Sequence, residues 1–315
     1  MGELHPEVRK VLIALEQELS DLGLSDLHSA GVEKARSFGD GLVLPEEDLP
    51  RIASVENRTI PGPGDQLRVR VFRPREGFLP ALMWFHGGGW VLGSLDLAEM
   101  NCRRLAIDAD CVVVSVDYRL APETPFPGAI RDCLAATTWV HDNAVDLGID
   151  PGRIAVGGDS AGGNLAACVA YAAREYKLPL VFQLLVYPVI DADFDRTSYL
   201  DCSEGLLLTR SAMIWFWDQY VPDPADRSNP HVAPIQASNL SGLPPALIMT
   251  AEFDPLRDEG EAYGEALNEA GSIVETIRYE GVIHGFFNML TEEPVDEIIA
   301  ASQDAVAALR RAFQR

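Results

Sequence analysis

The chain has 315 residues, 47% of them hydrophobic and 23% charged, and a formal net charge of −23. That length and balance suit a globular protein with one large core, or a core with a smaller cover. A surface this acidic repels phosphate backbones and anionic lipid headgroups, which argues against nucleic-acid or membrane-surface binding.

The first predicted element is an amphipathic helix over 6–20, with Val8, Val11, Leu12, Leu15 and Leu19 on one face. A second short helix is expected over 25–37. Next comes QLRVRVF, where Leu67, Val69 and Val71 alternate with polar residues, the pattern of a half-buried antiparallel strand. From residue 80 the pattern changes to short, continuous apolar runs at 81–85, 111–116, 153–157, 180–188, 246–251 and 273–279. Helix-length segments at about 98–109, 127–146, 162–176, 258–270 and 294–313 separate or follow them. Apolar strands alternating with helices predict a mostly parallel central sheet of about eight strands, covered on both faces and opened by an antiparallel strand. The connection from Pro188 to Ala246 exceeds an ordinary loop and carries LLLTRSAMIWFWDQYV, so it is expected to have structure of its own. The expected division is 1–50 as N-terminal cap helices, 51–190 and 232–315 as the catalytic domain, and 191–231 as a cap insertion. Such a cap would lie over the carboxyl edge of the sheet, where open α/β sheets bind ligands.

The cysteines at 102, 111, 133, 168 and 202 are odd in number and form no CxxC, which points to a reducing compartment. The segment MGELHPEVRK lacks the apolar core of a signal peptide. The longest apolar run, Leu178 to Ile190, is too short to span a bilayer, so a cytoplasmic protein without a stable membrane anchor is expected. The edge strand near 273–279 offers a surface for pairing with a second copy as a homodimer.

The most informative stretch is GGDSAGGN, Gly157 to Asn164. It is no phosphate loop, because no lysine follows, and no dinucleotide loop, because Asp159 stands where the second glycine belongs. It fits G-x-S-x-G, with Gly158, Ser160 and Gly162 between a strand and a helix. That motif turns the chain sharply at a nucleophilic serine; the plainer reading of Ser160 is a helix N-cap. A serine needs a base. The chain order Ser, acid, His selects His284, which follows the last strand. Asp254, just after the preceding strand, is the preferred acid, although Asp before Pro is also a good helix cap. FHGGGW, 85–90, follows a buried strand and matches the glycine loop that supplies oxyanion donors, with the N–H of Ala161 as a further donor. No HExxH or clustered histidine pattern suggests a metal.

HGGGW, DYRLAPE (117–123), GDSAGG (158–163), DPLRDEG (254–260) and HGF (284–286) occur in that order. Together they resemble the bacterial hormone-sensitive-lipase-like carboxylesterases, family IV, of the α/β-hydrolase fold. The resemblance covers about residue 50 to the C-terminus. It implies hydrolysis of short- to medium-chain carboxylic esters through an acyl-enzyme, with water as second substrate and no cofactor. It also implies a triad of Ser160, Asp254 and His284, oxyanion donors at Gly88, Gly89 and Ala161, and a structural role for His86. Tyr118, Arg119 and Glu123 are expected to form a buried polar network near the loop, with Glu123 reaching solvent as the alternative. Trp90, Leu206 and Trp215 are candidates for an apolar acyl pocket, with Phe194, Phe216 and Trp217 as further aromatics. Two other readings are an amidase or peptidase with the same triad, and a ligand-binding hydrolase-fold protein without turnover. The presence of all three triad residues weighs against the second. The sequence assigns no role to Asp159.

Overall fold

The computed structural model describes residues 2–21, 23 and 28–314. Eight strands form one sheet in the order β1-β2-β4-β3-β5-β6-β7-β8. The opening hairpin is β1 (Ser54–Pro61) and β2 (Gln66–Arg73), and β2 pairs antiparallel with both β1 and β4 (Val112–Val116). All other pairings are parallel, through β3 (Leu79–Phe85), β5 (Ile149–Asp159), β6 (Phe182–Val186), β7 (Ala246–Phe253) and β8 (Val274–Ile283). The central strands are apolar on both faces because helices cover both. Met83 and Phe85 belong to one core cluster, while their neighbours Leu82 and Trp84 belong to the other.

The first cluster takes its helical side chains from α4 (Gly128–Asp142), α5 (Ala161–Tyr176) and α8 (Arg257–Glu269). The second takes them from α3 (Glu99–Ala109), α9 (Asp296–Phe313) and, through Val8 and Leu12, from α1 (Pro6–Asp21). The second short helix, α2, runs Val32–Asp40, later than expected; residues 25–27 of the expected helix lie outside the described residues. No helix among the described residues is long and apolar enough to cross a membrane.

The long connection after β6 contains α6 (Thr197–Asp201) and α7 (Arg210–Tyr220). Thr209 starts α7 as an N-cap, its side chain accepting from the Ala212 N–H. Tyr220 and Trp217 of α7 pack on Trp90, with ring centroids 4.5 and 5.2 Å away. α6 is held at the end of β7, where the Ser198 hydroxyl donates to the Pro255 carbonyl at 2.6 Å and its N–H donates to Asp258 at 2.8 Å. At the start of the connection, the fully buried Glu259 accepts the Ile190 N–H at 2.7 Å. Burial, reinforced by the neighbouring Asp191 charge, pushes the Glu259 pKa well above the usual carboxylate range.

Candidate active site

Ser160 stands between the end of β5 and the start of α5 with φ 56 and ψ −119, a conformation that residues other than glycine rarely adopt. Three backbone hydrogen bonds hold it there. Its N–H donates to Val186 at 2.9 Å, and its carbonyl accepts from Asn164 at 3.0 Å and from Val189 at 3.2 Å. The turn closes on bare backbone: a Cβ at Gly162 would lie 1.8 Å from the Phe85 carbonyl oxygen. Any larger residue there would push the turn off β3. Ser160 is also the residue before α5, but its side chain makes no capping bond.

Asp254 follows β7, and His284 follows β8. Both sit beside parallel strands whose C-terminal ends point the same way as that of β5, so three distant sequence positions converge on one rim. The His284 Nε2 lies 3.0 Å from Ser160 Oγ, and its Nδ1 lies 2.8 Å from Asp254 Oδ2. Asp254 is fully buried, and its other oxygen accepts the Leu256 N–H at 2.9 Å. One carboxylate thus both closes the turn at Leu256 and holds the histidine. The contact to Nδ1 orients the ring with Nε2 toward the serine. Tyr187, at φ 34 just beyond β6, lays its ring against His284 with centroids 4.6 Å apart, and Phe286 packs on Tyr187. Neither aromatic stood out in the sequence as a support of the histidine.

The glycine loop leaves β3 at Phe85. His86 is buried, its ring stacks on Tyr118 at 4.4 Å, and its Nδ1 lies 2.8 Å from the Gly87 carbonyl. Burial lowers its pKa, which keeps the imidazole neutral. The Tyr118 hydroxyl donates to the His86 carbonyl at 2.8 Å and so braces the loop from beneath. Arg119 and Glu123 turn elsewhere. Arg119 pairs with Asp132 at 2.7 Å, and the exposed Glu123 pairs with Arg36 of α2 at 2.8 Å. The expected single network is therefore three separate contacts. Arg36, which the sequence did not single out, also donates to the carbonyls of Val91 and Ala121, each at 2.9 Å.

Gly88 and Gly89 have φ of 112 and 59, and their N–H groups donate to no acceptor among the described residues. A side chain at Gly88 would meet the Leu92 backbone at 2.4 Å, and one at Gly89 would meet the Phe216 ring at 2.2 Å. Ala161, at the first position of α5, is fully buried. Trp90 is also fully buried, at φ 60, and supports α7 from within the core. Leu206 and Trp215 are partly buried; Trp215 packs edge-on against Phe216. Among the described residues no group of three or more His, Cys, Asp or Glu side chains is placed to hold a metal ion.

A sheet with this order, carrying a serine on a strained strand–helix turn and a histidine and aspartate after the last two strands, defines an α/β hydrolase. The family model described as the alpha/beta hydrolase fold matches residues 82–288. The chain is 44% identical over 270 residues to the carboxylic ester hydrolase LipN of Mycobacterium tuberculosis, covering 83% of this chain and 71% of LipN. It is 38% identical over 296 residues to the ethyl acetate hydrolase of Pseudomonas putida, covering 91% and 92% of the two chains. Among solved structures it is similar to a hyperthermophilic esterase from the archaeon Pyrobaculum calidifontis, with a TM-score of 0.92, 42% identity and 98% and 99% coverage. The chain belongs to the α/β-hydrolase family, in its hormone-sensitive-lipase-like branch.

Proposed function

We propose that the protein is a serine carboxylesterase that hydrolyses short- to medium-chain esters through an acyl-enzyme. The observation that carries this reading is the continuous row Ser160 Oγ, His284, Asp254, with contacts of 3.0 and 2.8 Å. Ser160 attacks the ester carbonyl as His284 Nε2 takes its proton, and Asp254 stabilises the imidazolium. The tetrahedral oxyanion is received by the N–H groups of Gly88, Gly89 and Ala161. His284 then returns the proton to the leaving alcohol. In the second half it activates water, which releases the acid and restores Ser160.

Residues 1–50 and 191–231 form the cap, and Leu206, Trp215 and Phe216 line the acyl side of the pocket. The contact of Phe216 with Gly89 supports that placement, because it brings an apolar ring of α7 to the oxyanion loop. Trp90 acts from beneath as a support for both. The five cysteines are buried thiols, which suits a cytoplasmic setting. Strand β8 lies at the sheet edge and is the surface through which two copies would pair.

Purified protein without added metal is expected to hydrolyse p-nitrophenyl butyrate. Ser160→Ala is expected to lower kcat by about 10⁵-fold or more. Near-normal turnover by a folded Ser160→Ala protein would overturn the assignment.

A further inference from the structure

Asp159 sits beside the nucleophile and has no place in the chemistry above. Its carboxyl is nonetheless buried and fully engaged. One oxygen accepts the N–H of Gly87, in the glycine loop, at 3.1 Å. The other accepts from the Asn288 side chain, four residues beyond His284, at 3.0 Å. The Asn288 side-chain oxygen is in turn bonded by the Asn101 amide of α3. The fit is close: a Cβ at Gly87 would lie 2.5 Å from Asp159 Oδ2. Three chain segments, with Gly87 72 residues before Asp159 and Asn288 129 residues after it, therefore meet at one carboxylate, and each carries part of the proposed machinery.

We propose that Asp159 is a positioning residue: its carboxylate ties the oxyanion loop at Gly87 and the histidine loop at Asn288 to the serine turn. The proposal rests on the serine-esterase reading. Oxyanion donors and base act only if they keep register with Ser160, and a misplacement of an ångström is enough to cost much of the rate. Asp159 is the residue whose backbone is continuous with the nucleophile and whose side chain reaches both partners.

The ionised form suits the task, since both oxygens accept at once. The groups around it are His284, whose protonated form favours the carboxylate, and Cys102, Tyr118 and Tyr187, whose ionisation its charge disfavours. Burial raises the Asp159 pKa to about 6, so the tie weakens as pH falls through that value.

The test uses p-nitrophenyl butyrate hydrolysis and labelling by a fluorophosphonate probe on the full chain. Wild-type turnover that is lost in Ser160→Ala establishes the esterase reading before any Asp159 variant is judged. Absence of wild-type turnover would sink that reading. In that case the tie is read from thermal unfolding alone, where Asp159→Ala and Asn288→Ala should be non-additive. With turnover present, folded Asp159→Ala is expected to lose about thirty- to a hundredfold in kcat and to label correspondingly slowly. KM should stay within about threefold. Asn288→Ala should lose less, and the double variant should be no worse than Asp159→Ala alone. Asp159→Asn, like the protonated acid, offers one acceptor oxygen in place of two and so weakens the tie. Its kcat should lie below wild type above about pH 6, and the ratio of the two should approach one as pH falls below that value. The proposal is overturned if folded Asp159→Ala keeps kcat within twofold, if the two alanine variants multiply, or if Asp159→Asn matches the wild-type kcat at pH 8. Should Asp159→Ala not fold, Asn288→Ala within twofold of wild type in kcat overturns it equally.

Discussion

The strand ends that carry Ser160, Asp254 and His284 and the connection over 191–231 are built on different principles. At the strand ends nearly every polar atom has a short, directed partner: the Asp254 oxygens bind Leu256 and His284, and the Ser160 backbone binds Val186, Asn164 and Val189. In the connection α7 packs through rings and aliphatic groups, while directed polar bonds hold the segment around Asp191 and Ser198. Trp217, Tyr199 and Tyr220 are fully buried, and among the described residues the Trp217 indole N–H has no hydrogen-bond partner. Its ion pairs range from the largely buried Arg196 with Asp191 to surface pairs such as Arg210 with Asp195, each at 2.8 Å. Directed bonds hold atoms to a few tenths of an ångström, as proton transfer requires. Apolar packing conserves volume and tolerates exchange, as suits the acyl-selecting role proposed for this connection.

That contrast can be broken at either end. The largest effect is expected from Asp254→Asn, which leaves the shape intact but removes the charge facing Nδ1. Steady-state kinetics should show about a 10⁴-fold loss in kcat, with an unfolding midpoint close to wild type. Trp217→Ala should do the reverse. Loss of a fully buried ring is expected to lower stability by about 3–5 kcal/mol in urea titrations. The molecules that remain folded should keep most of their kcat.

A smaller and pH-dependent effect is expected at Asp159. Its folded pKa, about 6, is raised above that of an unfolded aspartate. Between about pH 4 and pH 6 the folded state therefore holds a proton that the unfolded state has lost, so stability falls as pH rises through this window and stays lowered above it. Asp159→Asn removes this cost. Calorimetry should find it more stable than wild type by about 1–3 kcal/mol at pH 8, with the difference vanishing near pH 4. A variant that gains stability while losing turnover would mark Asp159 as a carboxylate kept for function. The smallest effect concerns the surface pair Arg210 and Asp195, with side chains 37% and 81% exposed. A double-mutant cycle should give a coupling of about 1 kcal/mol or less. A larger value would mean that α7, too, depends on directed polar contacts.

The strands that the sequence made legible are those with long apolar runs. The strand expected at 111–116 is Val112–Val116, and that at 246–251 is Ala246–Phe253. The run at 180–188 yields only Phe182–Val186, because Tyr187 takes a positive φ and Pro188 cannot extend the ladder. β1 escaped notice for the opposite reason. SVENRTIP is an edge strand with Ile60 as its one buried side chain, so it carries no apolar alternation. Its partner β2 supplies the pairing that defines it.

At the site, the sequence by itself determined which groups are available and in what order: a serine between turn-forming glycines, then an aspartate and a histidine after successive strands. Those features are local, since glycine spacing and strand–helix alternation act over a few residues. Tertiary structure alone decided what Asp159, Asn288, Tyr187 and Arg36 do, because their partners lie far along the chain and no short-range pattern encodes them. The stretch GGDSAGGN thus marks its candidate nucleophile in sequence, whereas the contacts of the aspartate beside it appear only when Gly87 and Asn288 are folded onto its two oxygens.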